Sequence, residues 1–310
     1  TVLTHPNSHP FDSDLVVVNN ENKVETFDSK ENVRNYDYKN LVNSGIYCFS
    51  PKVFDYVKEP KKYGLEKDVI SKMITNGDNV YSYHSTEYVK DMGTPERFYA
   101  VNDDYANGIS EQRNLSHKQK AIFLDRDGTI NVYIPFLVNK EKFELIDGAS
   151  EAIKKINSSD YLCIVVTNQP IIARGESSFE NLEDIHKRME TLLGKDGAYI
   201  DGLYFCPHHK DKGFSGEVPE LKFDCDCRKP KIGMLLEAVK DFNIDLSESV
   251  VIGDSTLDIK MAENANMKSI LVKTGQAGLD GKYDVTPTEV AEDLLDAVNI
   301  ILTKEERRRR

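Results

Sequence analysis

Phe123-Leu124-Asp125-Arg126-Asp127-Gly128-Thr129 closes a short apolar run that begins at Ala121. Downstream of it, strand and helix signals alternate. Ala149, Ala152, Ile153 and Ile156 repeat at helical spacing, and Leu162 to Val166 is a continuous apolar run of the kind that a strand buried on both faces needs. Leu182, Ile185, Met189 and Leu192 predict a second helix, 200–205 a strand, and Leu235, Ala238, Val239 and Phe242 a third helix. A strand over 250–252, a helix after Asp254, a strand over 270–272 and a last helix from about Pro287 complete the series. This β-α alternation predicts a doubly wound parallel sheet, whose ligands bind at the carboxyl ends of its strands.

The first ~105 residues read differently, with strands at 15–18 and 46–49 mixed with turns and helices at 65–74 and 95–105. The polar stretch from Asn107 to Lys120 has no apolar periodicity and marks a domain boundary. The organisation expected is a domain over 1–105, a linker over 106–119, a second domain over 120–303 and a charged tail over 304–310. A length of 310 residues suits two domains, and a composition 39% hydrophobic and 30% charged suits a soluble core-forming chain. The net charge of −12 argues against a general nucleic-acid or anionic-membrane binder, and no apolar run is long enough for a membrane span. A small anionic substrate stays compatible, because a local cation overrides the global sign. No secretion signal opens the chain, so a cytoplasmic setting is expected, and Thr1 suggests a trimmed or partial product.

Asp125 and Asp127 stand together at a strand end, where two carboxylates repel each other and call for a cation such as Mg2+. Asp125 is then placed to attack phosphorus, Asp127 to protonate the leaving oxygen and later activate water, and Gly128 to allow a tight turn. Thr167 and Asn168, at the next strand end, offer groups for phosphate oxygens. Lys229, after Arg228, would neutralise nucleophile and phosphoryl group. Asp254 would complete the magnesium site, with Asp258 one helical turn behind it. Each piece alone has an ordinary explanation as a turn or a solvated surface; their order at successive strand ends carries the reading. Together they resemble the four motifs of the haloacid-dehalogenase-like phosphatases, which implies magnesium held by Asp125, by the Asp127 backbone carbonyl and by Asp254.

Of five cysteines, Cys48 and Cys163 lie in apolar runs and read as small buried residues. The others form Cys206-Pro-His208 and Cys225-Asp-Cys227, a Cys3His set suited to structural Zn2+, with His209 a competing ligand to His208. The zinc loop followed by Cys227-Arg228-Lys229-Pro230 resembles the heptose 1,7-bisphosphate phosphatase and histidinol-phosphatase subgroup over about 120–303. The resemblance implies removal of the 7-phosphate from D-glycero-D-manno-heptose 1,7-bisphosphate, with Arg174 and Arg228 gripping the far end of the bisphosphate. The α-anomer and a guanylyl route of activation are favoured over the adenylyl one. Histidinol phosphate is the alternative substrate, and a non-catalytic sugar-phosphate-binding or assembly module the alternative class. Pro170-Ile171 and Pro135-Phe136-Leu137 depart from the subgroup's usual residues on the substrate side.

In the first domain, 41–47, 65–68 and 90–95 resemble the C-terminal half of sugar-nucleotide pyrophosphorylases. That resemblance implies sugar-phosphate contacts by Asn43 and Glu66 and a magnesium contact by Asp91. The family's Gly-rich nucleotide loop has no counterpart here, so nucleotide transfer by this chain alone is not expected; either the N-terminal half is missing or the remnant serves for assembly.

Overall fold

The computed structural model describes residues 1–309. It divides into two compact units, Thr1–Glu111 and Gln112–Arg310. Among the described residues, no helix is long and apolar enough to cross a membrane.

The first unit is a five-stranded sheet built from β1 (Val2–His5), β2 (Leu15–Val18), β3 (Val24–Asp28), β4 (Val42–Tyr47) and β5 (Ser82–His84), in the order β3-β2-β4-β1-β5. Only the β1–β5 pairing is parallel; the others are antiparallel. A π-helical turn over Leu65–Ile70 runs into α1 (Ser71–Thr75), and Val69, Ile70 and Met73 from this segment pack on Val2, Val16 and Val24 of the sheet. α2 (Pro95–Ala106) starts at Thr94, whose hydroxyl accepts from Arg97 N, and buries no residue. Cys48 follows β4 directly and is exposed, so its reading as a buried residue is corrected: the strand ends at Tyr47 and the thiol falls outside the core. Cys163 is buried.

The segment 106–119 is more than a tether. α3 (Ile109–Gln112) lies within it, and buried Arg113 reaches Asp201 Oδ1 at 3.4 Å and the carbonyls of Asn157 and Tyr161 at 3.5 Å. The division between the two units falls inside this segment, between Glu111 and Gln112.

The second unit is a six-stranded, wholly parallel sheet. Its strands are β6 (Lys120–Leu124), β7 (Tyr161–Asn168), β8 (Gly202–Cys206), β9 (Val250–Gly253), β10 (Lys268–Val272) and β11 (Glu289–Ala291), in the order β11-β10-β9-β6-β7-β8. Side chains alternate between two cores, as the period of a strand requires. Ile122, Leu124, Cys163, Val165 and Ile252 face α4 (Ala149–Asn157), α5 (Phe179–Lys195) and α8 (Leu294–Arg309). Ala121, Phe123, Ile164, Val166 and Val251 face α6 (Gly233–Phe242) and α7 (Thr256–Asn264). The helices bury stripes at i, i+3, i+4 and i+7, as in Ala149, Ala152, Ile153 and Ile156 of α4 and Leu294, Ala297, Val298 and Ile301 of α8.

One expected element differs. The last helix does not begin near Pro287; the short strand β11 intervenes, and α8 starts at Leu294 and runs on through the charged residues as far as Arg309. Arg310 lies outside the described residues. The strand order reverses at β6, which has β9 on one side and β7 on the other although β7 and β8 precede β9 in the chain. The carboxyl ends of those three strands form the crevice where such sheets bind ligands.

Candidate active site

Asp125 follows β6 directly and its N–H donates to Ile252 O of β9 at 2.9 Å, so the ladder fixes its backbone. Lys229 is 3% exposed, and its Nζ lies 2.8 Å from Asp125 Oδ1 and 2.7 Å from Asp258 Oδ1 while donating to Val166 O at 3.0 Å. One ammonium thus bridges two carboxylates and the end of β7. Burial works to lower the Lys229 pKa, but the charges of Asp125 and Asp258 outweigh it and hold the lysine charged. Asn168 places this lysine: its carbonyl accepts from Lys229 N at 3.0 Å and its amide donates to Lys229 O at 3.2 Å.

Asp258 opens α7. Its Oδ2 accepts from Ser255 N at 3.2 Å and from Ser255 Oγ at 2.6 Å, a capping box. With Oδ1 taken by Lys229, both oxygens are engaged, and the residue orients the lysine. Asp254 is nearly wholly buried; its Oδ2 accepts from Gln276 N at 2.6 Å, while Oδ1 is buried without a hydrogen-bond partner. Gly128 (φ +84°) packs against this carboxylate so closely that a Cβ there would lie 2.2 Å from Asp254 Oδ2 and 3.0 Å from Gly275 Cα. Only glycine fits that contact.

Oxygens of Asp125, Asp254 and Asp258 all lie within 4.8 Å of one another. Burial first, and then the neighbouring carboxylates, push Asp125 up to about 7 against the opposing charge of Lys229. Asp254 is pushed up to about 8, again by burial first and then by Asp125 and Asp258. Three carboxylates set against one ammonium leave the cluster two positive charges short, and with an orphaned buried oxygen on Asp254 it fits a divalent cation with oxygen ligands.

Asp127 is held apart from that cluster by residues that sequence reasoning left without a role. Arg126, fully buried, gives Nη2 to Asp127 Oδ2 at 2.7 Å and to Oδ1 at 2.9 Å. Asn131 Nδ2 reaches Oδ1 at 3.1 Å, and Gln169 Nε2 reaches Oδ2 at 2.9 Å. Burial raises the Asp127 pKa, but the Arg126 charge and these donors prevail and set it below the usual carboxylate range. Gln169 also donates to Thr167 Oγ1 at 2.9 Å. The signal for Gln169 was present, because residues i and i+2 at a strand end face the same side. Nothing in the sequence marked Arg126 as buried.

At the end of β8, the zinc-loop ligands converge. Sγ of Cys206 lies 3.5 Å from that of Cys225 and 3.1 Å from that of Cys227, and His208 Nδ1 is 3.1 Å from Cys227 Sγ. The bond it shares with Cys206 draws the Cys227 thiol below its ordinary range, toward the thiolate that a metal ligand must be. Three sulfurs and one imidazole nitrogen within 4.8 Å fit a tetrahedral zinc site. His209 turns to the carbonyl of Asp211, 3.3 Å away. Arg228 Nη1 donates to His208 O at 3.1 Å, and Arg174 pairs with Glu176 at 3.1 Å.

In the first unit, Asn43 Nδ2 donates to Glu66 Oε1 at 3.3 Å and to Tyr47 Oη at 2.8 Å, and the Tyr47 hydroxyl donates to Glu66. Asn43 and Glu66 are therefore brought together, with Tyr47 between them. Asp91 is exposed and pairs with Arg97.

A parallel sheet with an Asp-x-Asp pair after its central strand, a lysine bridging carboxylates and a further Gly-Asp at the adjacent strand end defines a haloacid-dehalogenase-like hydrolase. Residues 226–297 match the family model described as HAD-hydrolase-like, and residues 1–108 match the model described as Nucleotidyl transferase. The D-glycero-beta-D-manno-heptose-1,7-bisphosphate 7-phosphatase of Pasteurella multocida is 43% identical over 185 residues, covering 59% of this chain and 97% of that protein. Its Haemophilus influenzae counterpart is 38% identical over 184 residues, covering 59% and 96%. The crystal structure of D,D-heptose 1,7-bisphosphate phosphatase from B. bronchiseptica, complexed with magnesium and phosphate, superposes with a TM-score of 0.53 at 30% identity, covering 60% of this chain and 99% of that one. The chain belongs, through its second unit, to the haloacid-dehalogenase-like heptose-1,7-bisphosphate phosphatase family.

Proposed function

We propose that the second unit removes the 7-phosphate of D-glycero-D-manno-heptose 1,7-bisphosphate by way of an aspartyl-phosphate on Asp125. The observation that carries this is the Asp125–Lys229–Asp258 bridge at the mouth of the parallel sheet, in a chain that is 38–43% identical over 184–185 of its residues to heptose-1,7-bisphosphate 7-phosphatases. Asp125 attacks phosphorus, and the bond to the sugar oxygen breaks as that oxygen takes a proton from Asp127. Asp127 then accepts a proton from water, the water oxygen attacks the aspartyl-phosphate, and Asp125 is released with inorganic phosphate. The donors around Asp127 stabilise its ionised form, so the conformation here is that of the base in the second step; for the first, the carboxyl must leave that cradle carrying a proton.

Lys229 offsets the charge of the nucleophile and of the transferring phosphoryl group, and Thr167 contributes its hydroxyl to phosphate oxygens. Asp125, the Asp127 carbonyl and Asp254 would hold magnesium, which supplies further charge compensation for the phosphoryl oxygens. Cys206, His208, Cys225 and Cys227 would hold zinc in a structural role, steadying the loop that leads into Arg228 and Lys229. Arg174 and Arg228 are assigned to the remote phosphate, which planar guanidinium groups can grip bidentately. For the first unit the proposal is limited to sugar-phosphate contacts by Asn43 and Glu66 and a magnesium contact by Asp91.

Steady-state phosphate release from the heptose 1,7-bisphosphate and from histidinol phosphate tests the reading. A kcat/KM at least about tenfold higher for the bisphosphate is expected, the worth of one well-made phosphate contact. Faster turnover of histidinol phosphate would assign the site to that substrate instead.

A further inference from the structure

The three loops that follow β6, β7 and β8 meet at one side chain. Arg174, from the loop after β7, has its guanidinium carbon 4.2 Å from the ring centre of Phe136, from the loop after β6, and 4.3 Å from that of Phe214, in the zinc loop after β8. Lys222 Nζ lies 4.4 Å from the centre of the Phe214 ring, so that ring meets two cations and Arg174 meets two rings. Lys222 is an odd residue to bury: its side chain is 0% exposed, its Nζ has no hydrogen-bond partner, and Glu217 Oε2 lies 3.5 Å away. The same Glu217 oxygen accepts from Gly213 N at 2.9 Å and Phe214 N at 3.0 Å, fixing the turn that carries the ring.

The loops are also locked at the backbone. Val218 N donates to Ala173 O at 3.0 Å, and a Cβ on Gly175 would fall 1.8 Å from Gly216 O. Phe136 has φ +55°, a left-handed backbone that a bulky residue adopts only where its surroundings hold it.

We infer that Phe136, Phe214 and Lys222 are positioning residues that clamp the plane of Arg174, and thereby set the selectivity for a substrate carrying a second, remote phosphate. Contact with two rings, together with the Glu176 pairing at Nε, restricts the guanidinium's rotation and leaves the Nη groups for a phosphate to engage. A rotating Arg would spend part of each contact on its own ordering. The zinc loop thus has a task in selectivity, since it carries Phe214, Glu217 and Lys222. The inference rests on the assignment of Arg174 to the remote phosphate.

The test uses the intact, metal-loaded 310-residue chain and the ratio of kcat/KM for heptose 1,7-bisphosphate to that for p-nitrophenyl phosphate, which has no second phosphate. Phe136→Leu and Phe214→Leu should each lower the ratio about two- to fivefold, mainly through KM for the bisphosphate, and Phe214→Tyr should restore it, as expected for loss and return of a partly exposed cation–π contact. Lys222→Met should lower it in the same sense. Zinc content is measured in every variant; if Phe214→Leu loses zinc, Phe136→Leu, which lies outside the zinc loop, decides the matter. An unchanged ratio in Phe136→Leu while Arg174→Ala lowers it would overturn the clamp and leave the Arg174 assignment standing. An unchanged ratio in Arg174→Ala would overturn both. Equal losses on the two substrates, without a KM component, would mean a purely structural role and also overturn it.

Discussion

Asp125→Asn is expected to reduce phosphate release from heptose 1,7-bisphosphate on the order of ten-thousandfold or more, the scale on which losing a covalent nucleophile is felt. The amide is nearly isosteric but is too weak a nucleophile for phosphorus. It also presents an N–H or a neutral carbonyl where Lys229 Nζ now meets a carboxylate oxygen at 2.8 Å. Lys229 keeps Asp258 at 2.7 Å and Val166 O at 3.0 Å, so the lysine stays in place and the variant should fold. Rapid-quench kinetics with circular dichroism as a fold control separates the two effects. Residual turnover within a factor of about ten of the parent would remove Asp125 from the role of nucleophile.

Lys229→Met is the second large effect, and it shows in both stability and rate. The lysine is buried between Asp125 and Asp258, and its removal leaves carboxylates facing each other without their shared cation. Breaking a buried pair in this way costs about 3–5 kcal/mol, so chemical denaturation in a chelator should show that loss. Added magnesium should recover part of it, because a cation among Asp125, Asp254 and Asp258 supplies positive charge to the same cluster. Turnover should not recover with it: in the proposed mechanism the ammonium also offsets the charge of the transferring phosphoryl group, and removing such a group costs about a hundred- to a thousandfold. Stability in chelator equal to that of the parent would mean that the bridge contributes nothing to the apo fold.

The second unit was legible because its central strands are buried on both faces and read as apolar runs, as in Leu162–Val166. Its helices carry one clear stripe each. β11 escaped because a three-residue, half-exposed strand after Pro287 has no pattern of its own. In the first unit, β1 and β5 escaped because they are short and their partners lie far along the chain, His84 against Thr4 for example, while β3 escaped because Glu25 and Thr26 leave it without an apolar run. Cys48 was misread for a related reason, since one residue past a strand end decides between core and solvent.

Asp125, Thr167 and Asp254 could be proposed because strand ends announce themselves, and Lys229 because it follows a metal-loop cysteine; the structure brings Asp125, Lys229 and Asp254 together. What surrounds them could not. The cradle of Arg126, Asn131 and Gln169 about Asp127, and the stack from Phe136 to Lys222, depend on how separate loops meet, and Phe136 reaches its place through a backbone conformation that its residue type disfavours.

The central claim is that this chain takes the phosphate from the far end of a sugar bisphosphate and leaves the anomeric one. The most direct measurement is phosphorus NMR of heptose 1,7-bisphosphate, as separate α- and β-anomers, incubated with the magnesium-loaded chain. The 7-phosphate resonance should disappear with matching growth of inorganic phosphate, while the 1-phosphate resonance persists. Loss of the 1-phosphate, or no release from either anomer alongside rapid release from histidinol phosphate, would contradict it.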